Sequence, residues 1–268
     1  MSWLSVTSER TIGLAWPKGL HPILRGLALP VLLLVLWQLI CLSRLVPPYI
    51  LPSPASVVER LGMELSGGGF WLDVRSSLGR VVEGFLLGSI SGLAFGLLLG
   101  LSRWADCLLG PLFMAYRQIA LFAWVPLLSM WFGGGEAGKI AFVTLSAFAP
   151  VVVNTWRATR AIPRPLQELG AVLTFSRLDQ IRLIALPGAL PAIVTGLRSA
   201  LIYSWLATVG AELFLDIAPG MGGRMNEGRD KFEMDLMLVA LFVLAGLGLA
   251  FSQLASLIES RLVRWRSP

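Results

Sequence analysis

An all-α, polytopic membrane fold with about six transmembrane helices is predicted by three observations. The chain is 56% hydrophobic and only 14% charged, against about a quarter charged in ordinary soluble domains. Its apolar residues fall into separate runs that approach the roughly 20 residues needed to cross a bilayer. Its lysines and arginines alternate in density between the segments that join those runs, as the positive-inside rule requires. A formal charge of +6 then belongs to arginines flanking membrane helices rather than to a nucleic-acid surface.

The chain divides into an N-terminal segment, 1–25, and a membrane domain, 26–268. The first segment carries Arg10, Lys18 and Arg25, and the first apolar run follows at 26–42. No small-residue cleavage site follows it, so an uncleaved first span with a cytoplasmic N-terminus is expected. Residues 46–78 form the first outer segment. Prolines 47, 48, 52 and 54 break it, and Ser53-Pro54 reads as a helix N-cap with proline at the first helical position. Val57, Val58, Leu61 and Leu65 lie at helical spacing, which predicts a short surface helix.

The second span, 81–101, places Gly84, Gly88, Gly92, Gly96 and Gly100 four residues apart. Without side chains on that face, a neighbouring helix can approach closely, so helix packing is their expected role. Arg103 and Trp104 mark the inner boundary. The third span, 108–132, contains Arg117, Gln118, Trp124 and Pro126, and Gly133-Gly134-Gly135 turns the chain outside. The fourth span, 140–156, ends at Arg157, Arg160 and Arg164.

An inner loop follows, about 158–191. Within it Leu166–Pro191 reads LQELGAVLTFSRLDQIRLIALPGALP. Leu173, Phe175, Leu178, Ile181 and Ile184 suggest a largely apolar helix face, with Arg177, Asp179, Gln180 and Arg182 between them. Glu168 suits the positive end of the helix dipole. Pro187 is expected to end the element, and Gly188 and Pro191 to turn the chain into the fifth span, 192–213. That span carries Arg198 near its inner end and Glu212 near its outer end. A glycine-containing outer loop, 216–235, precedes the sixth span, 236–257, and Arg261, Arg264 and Arg266 close the chain inside.

The site chemistry narrows the function classes. His21 is the only histidine, and Cys41 and Cys107 lie far apart, so zinc, disulfide and serine–histidine chemistry have no spacing to rest on. No GxxxxGK[ST] loop is present, so the chain is expected to bind neither ATP nor any other cofactor itself. The intramembrane charges are the remaining candidates, because a charge within a span needs a partner or a water-filled path. Arg117, Trp124 and Glu212 are the candidate path residues, and Glu212 is read alternatively as the partner of an outer-loop arginine. For Arg117 two readings stay open: a path residue, or a structural partner of Glu83, Glu212 or backbone carbonyls near Pro126. Arg198 and Glu83, near span ends, are explained by snorkelling.

From about Leu51 onward the chain resembles the permeases of binding-protein-dependent ABC importers, type I in fold, and in particular their sulfonate, taurine and nitrate branch. The resemblance is carried by Glu168 and by Leu186-Pro187, which fill the glutamate and the closing leucine–proline pair of that family's cytoplasmic coupling loop. The stretch GALPAIVTGLRSAL from Gly188 and the segment RQIALFAWVPLLSMWFG also look like that family. Leu169 and Gly170 stand where the family usually has alanines, Thr174 where it has glycine, and Ala120 where it commonly has proline. The resemblance implies Glu168, Leu169, Gly170, Thr174, Leu186 and Pro187 as the ATPase-coupling residues. It also implies a second copy of the chain, a cytoplasmic ABC ATPase dimer that holds ATP and Mg, and a periplasmic or lipid-anchored substrate-binding protein. The implied solute is a small anion such as an aliphatic sulfonate, taurine or nitrate, and the implied location is the bacterial inner membrane with both termini cytoplasmic. A stand-alone secondary transporter and an intramembrane enzyme are the alternatives. The first lacks a visible repeat of the two halves, the second a catalytic constellation.

Overall fold

The computed structural model describes residues 22–176, 179–215 and 219–262. The described residues are helical with no strand among them. Most of the N-terminal segment, together with Arg177, Leu178, Asp216, Arg264 and Arg266, lies outside the described residues. Four helices are long and apolar enough to cross a membrane, and a bent helix pair makes a fifth candidate span.

The described residues up to Pro54 belong to one compact unit, which contains helix α1 (Pro22–Leu42). The apolar part of α1, Ala28–Leu42, is shorter than these candidate spans and is not counted among them. Its leucines stay exposed, Leu32 at 62% and Leu39 at 56%, as suits a helix whose solvent is lipid. The chain after α1 folds back so that Trp37 Nε1 donates to the carbonyl of Pro52 at 3.1 Å.

The second unit begins at Ala55. Helix α2 (Pro54–Ser66) starts at the Ser53-Pro54 signal. Helix α3 (Gly68–Leu101) is 34 residues long. At 1.5 Å per residue it extends roughly 50 Å, well beyond a hydrocarbon core of about 30 Å. The expected outer segment, 46–78, is therefore corrected: its last third is the projecting start of the second span. Asp73, Ser77 and Arg80 lie on the same face as the glycines that follow, and all three are buried.

Helices α4 (Arg103–Gln118) and α5 (Val125–Phe132) correspond to the third span, but they meet at 98°. The break is not at Pro126, which sits in the first turn of α5. It falls at Ile119 (φ −73°, ψ 125°) and Ala120 (φ −59°, ψ 133°). The Ala120 torsions lie in the polyproline region, which accounts for the proline common at this position in the resembled family. A 3₁₀ turn, Leu121–Trp124, leads into α5.

Helix α6 (Glu136–Arg160) crosses α3 along the glycine face. A Cβ at Gly84 would stand 2.5 Å from Val143 Cβ, at Gly88 2.5 Å from Thr144 O, and at Gly92 2.9 Å from Phe148 O. At Gly96 it would meet Thr155 Cβ at 2.7 Å, and at Gly100 it would overlap Thr159 Oγ1. The two backbones touch along the whole crossing, and Val81, Leu99, Val143, Val151 and Val152 are almost fully buried beside them.

The inner loop departs most from expectation. Helix α7 (Arg164–Val172) is short and stops before Leu173. Thr174 has φ +52°, a left-handed conformation that β-branched residues seldom adopt, and Phe175 N donates to Gly170 O at 2.9 Å to close the helix end. Gln180–Ala185 is π-helical and passes directly into α8 (Leu186–Phe214). Pro187 therefore does not end the loop helix: it comes just after the π-helical turn, whose wider bonding changes the register of the backbone ladder before a residue that has no amide donor. Pro191 lies inside α8. The expected single apolar face from Leu173 to Ile184 is divided by the break. Helices α9 (Met221–Asp230), within the expected outer loop, and α10 (Met234–Leu262) complete the described chain.

Candidate functional site

The bend between α4 and α5 builds a cleft of about 440 Å³. Arg117, in the last turn of α4, contributes its only charged side chain. Tyr116 and Trp124 line it beside Arg117, with ring centroids 5.8 Å apart. Ser146 and Asn154 of α6 and Ser199 and Tyr203 of α8 supply polar groups. Most of these are held in place by the backbone. Tyr116 Oη donates to Leu145 O at 3.1 Å, Ser146 Oγ to Tyr203 O at 3.1 Å, and Asn154 Nδ2 to Pro150 O at 2.8 Å.

Arg117 itself makes no hydrogen bond or ion pair among the described residues. The C-terminal end of the α4 dipole favours a cation there, yet no carboxylate lines the cleft. Chemically the cleft is a positive, hydrogen-bonding pocket with two aromatic walls. A guanidinium in that setting binds an oxyanion through paired N–H donors.

Arg117 and Trp124 are thus brought together, whereas Glu212 is not. Glu212 is 1% exposed and lies in an ion cluster at the far end of α8. It accepts from Arg80 Nη1 at 2.5 Å, from Ser77 Oγ at 2.7 Å and from Gly222 N at 2.8 Å. It stands nine residues beyond Tyr203 on α8, roughly 14 Å along the axis. Glu212 does not line the cleft: its oxygens accept from protein donors, among them Arg80, an arginine of the segment expected to lie outside, as the alternative reading had it. Arg198 is also reassigned. Its Nη1 is 2.5 Å from Glu259 Oε2, so it pairs α8 with α10 instead of merely reaching to water.

The ion cluster contains residues that sequence reasoning passed over. Arg80 also reaches Glu136 at 2.6 Å and the carbonyl of Pro219 at 2.5 Å. Asp73 accepts from Gly220 N at 2.9 Å and pairs with Arg224, which also pairs with Glu64. Arg60 links Glu64 at 3.1 Å to Glu233 at 2.7 Å. Helices α2, α3, α6, α8 and α9 all contribute to it, and Glu233 ties in the start of α10. A usable signal was present: Asp73, Ser77, Arg80, Gly84 and Gly88 recur at helical spacing and share one face.

The residues expected from the resemblance to couple to an ATPase are split among three elements. Glu168 lies exposed on α7. Gly170 is buried, and a Cβ there would come within 2.8 Å of Ile184 Cδ1, so α7 packs directly on the π-helical turn. Leu169 lies on α7, Thr174 forms the break, and exposed Leu186 and Pro187 begin α8. Ser176 and Asp179 cap the second part reciprocally: Asp179 N donates to Ser176 Oγ at 3.2 Å, and Ser176 N to Asp179 Oδ2 at 3.2 Å. This S-x-x-D pattern is a helix-start signature legible in the sequence and missed there.

Residues 84–264 match the family described as binding-protein-dependent transport system inner membrane component. A putative aliphatic sulfonates transport permease protein, SsuC of Bacillus subtilis, is 32% identical over 91% of this chain and 88% of its own length. The riboflavin transport system permease protein RibX of Chloroflexus aurantiacus is 37% identical over 90% of this chain and 91% of its own. A solved chain of the MetNI methionine ABC transporter, in an inward-facing form, superposes with a TM-score of 0.63 at 20% identity. It covers 74% of this chain and 99% of that one, a likeness of fold. The chain belongs to the binding-protein-dependent inner membrane components and is an ABC importer permease with the type I fold.

Proposed function

We propose that this permease forms the translocation path of an ATP-driven importer for a small oxyanion, of the aliphatic sulfonate, taurine or nitrate kind. The observation that carries the reading is Arg117, unpaired among the described residues, in a cleft without a carboxylate. A charge kept within a span without a protein partner costs about 2.5–3.5 kcal/mol on insertion scales. A passing anion offsets that cost and is released again once the path opens to the other side. Affinity then resides in a binding protein, periplasmic or lipid-anchored, that delivers the solute at the outer face.

In this reading two copies of the chain assemble, and each receives one subunit of a cytoplasmic ATPase dimer, which holds ATP and Mg. The Arg157 and Arg160 end of α6 faces the cytoplasm, as do both termini, in the bacterial inner membrane. Helix α7 with Glu168 is the docking element. Its stroke passes through Gly170 against Ile184 into the π-helical turn, and from there without interruption into α8, which carries Ser199 and Tyr203 to the cleft. A second reading rests on the riboflavin permease relative. Tyr116 and Trp124 would suit a flat aromatic solute by stacking.

The test is uptake into proteoliposomes that contain the permease with its ATPase and binding protein. Arg117→Gln is expected to abolish uptake of labelled alkanesulfonate or taurine while assembly and ATPase activity persist. Loss of assembly would make Arg117 structural. Wild-type uptake by the variant would remove it from the path, and uptake of riboflavin alone would replace the oxyanion reading.

A further inference from the structure

We propose that the cleft at the Arg103 end of α3 is a binding site for an anionic phospholipid, with the phosphate at Arg103 and one acyl chain against Leu98 and Ile184. The cleft has a volume of about 830 Å³ and lies between the end of α3, the start of α4, the end of α6 and the π-helical turn. Its lining is largely hydrocarbon: Leu97, Leu98 and Leu101 from α3, and Ile181 and Ile184 from the π-helical turn. Leu98 and Leu101 remain 48% and 42% exposed.

The same lining carries polar and positive groups. The Arg103 side chain makes no hydrogen bond or ion pair among the described residues. The carboxylate closest to it in sequence, Asp106, is held by Arg160 at 2.6 Å and does not neutralise it. No acidic side chain lines the cleft. Ser102, whose hydroxyl also caps α4, and Gln180 add a hydroxyl and an amide to the lining. Trp104 is 88% exposed, an amphipathic ring of the type enriched at headgroup depth.

The order of these groups selects the occupant. A guanidinium binds a phosphodiester through paired donors. The apolar walls beside it receive an acyl chain by van der Waals packing, without removing it from hydrocarbon. A soluble partner would need carboxylates for Arg103 and apolar side chains long enough to fill the depth. The charge density at this end of the spans favours the leaflet rich in anionic lipid. The lipid would bridge α3 to the π-helical turn, which is the segment that joins α7 to α8. The site is independent of which solute the permease carries.

Native mass spectrometry on the permease, purified as the assembly it forms in the membrane and then stripped of lipid, reads the occupancy. The probes are phosphatidylglycerol and phosphatidylcholine with the same acyl chains. The assembly is expected to retain phosphatidylglycerol about fivefold better, the effect of one cationic side chain near an anionic lipid. Arg103→Gln should erase that preference with assembly intact, and Leu98→Trp, which fills the cleft, should lower retention of both lipids. Equal retention of the two lipids by the wild type, or an unchanged preference in Arg103→Gln, overturns the proposal. So does displacement by inorganic phosphate, which would make the ligand a free anion. Loss of the lipid whenever an ATPase is bound would assign the cleft to the protein partner and overturn it as well.

Discussion

Arg80 Nη1 lies 2.5 Å from Glu212 Oε1, and the two side chains are 3% and 1% exposed. They join α3 to α8 across 132 residues of sequence. Glu136, the carbonyl of Pro219, Ser77 and the amide of Gly222 use most of the remaining donors and acceptors of the pair. Such completeness matters because an ion pair taken out of water repays its desolvation only when its other groups are satisfied. Removing one partner leaves the other as a buried, uncompensated charge. Arg80→Met is therefore expected to cost about 3–5 kcal/mol, seen as a large fall in melting temperature of the purified assembly. Arg80→Met combined with Glu212→Leu should recover much of the loss. Additive losses in the double variant would show that the pair is not coupled.

The crossing of α3 on α6 is tight enough to test by a single substitution. A Cβ at Gly92 already approaches Phe148 O to 2.9 Å and Val151 Cβ to 3.0 Å. Gly92→Leu must push the helices apart, at a cost on the order of 1–3 kcal/mol or more. Reduced yield of folded permease and early thermal unfolding are the expected readouts. Gly79, where an added Cβ would meet nothing within 4 Å, supplies the control, and Gly79→Ala should behave as wild type. Equal behaviour of the Gly92 and Gly79 variants would refute the close crossing.

Thr174 holds φ +52° at the break between α7 and the π-helical turn. Left-handed torsions cost a residue with a Cβ roughly 1–2 kcal/mol, and glycine adopts them freely. Thr174→Gly should relieve that strain, partly offset by the greater freedom of glycine in the unfolded chain. The expected result is slower proteolysis within the loop and no loss of melting temperature. Faster cleavage would contradict the left-handed break.

Glu168 is exposed on α7 and has no described partner within the chain. Glu168→Lys should leave insertion and thermal stability unchanged, since exposed charges contribute little to folding. It should separate ATP hydrolysis from uptake in the reconstituted assembly. Uptake that stays coupled at the wild-type rate would exclude α7 as the transmitting element.

The membrane class, the helical fold and the outline of the spans were legible in the sequence, because burial in lipid demands long apolar runs and satisfied backbones whatever their neighbours. The glycine face of α3 could be read from spacing alone, and the start of α2 from Ser53-Pro54. Other features depend on residues far apart in the chain. The bend at Ile119–Ala120 has no proline or glycine at its centre, so tertiary packing fixes the angle: Tyr116, Trp124 and Phe148 around it, and Phe122 against Phe142 and Phe214. Pro187, Gly188 and Pro191 read locally as a stop, yet the helix runs through them. Pro187 follows directly on the π-helical turn Gln180–Ala185, whose wider bonding changes the register of the ladder just before a residue that has no amide donor, and Thr195 Oγ1 donates to the carbonyl of Pro191 at 3.1 Å. Glu212 and Arg117 carry the same local signal, a charge within an apolar run. Tertiary structure separates them by surrounding Glu212 with donors from two other helices, α3 and α9, while leaving Arg117 to face an open cleft.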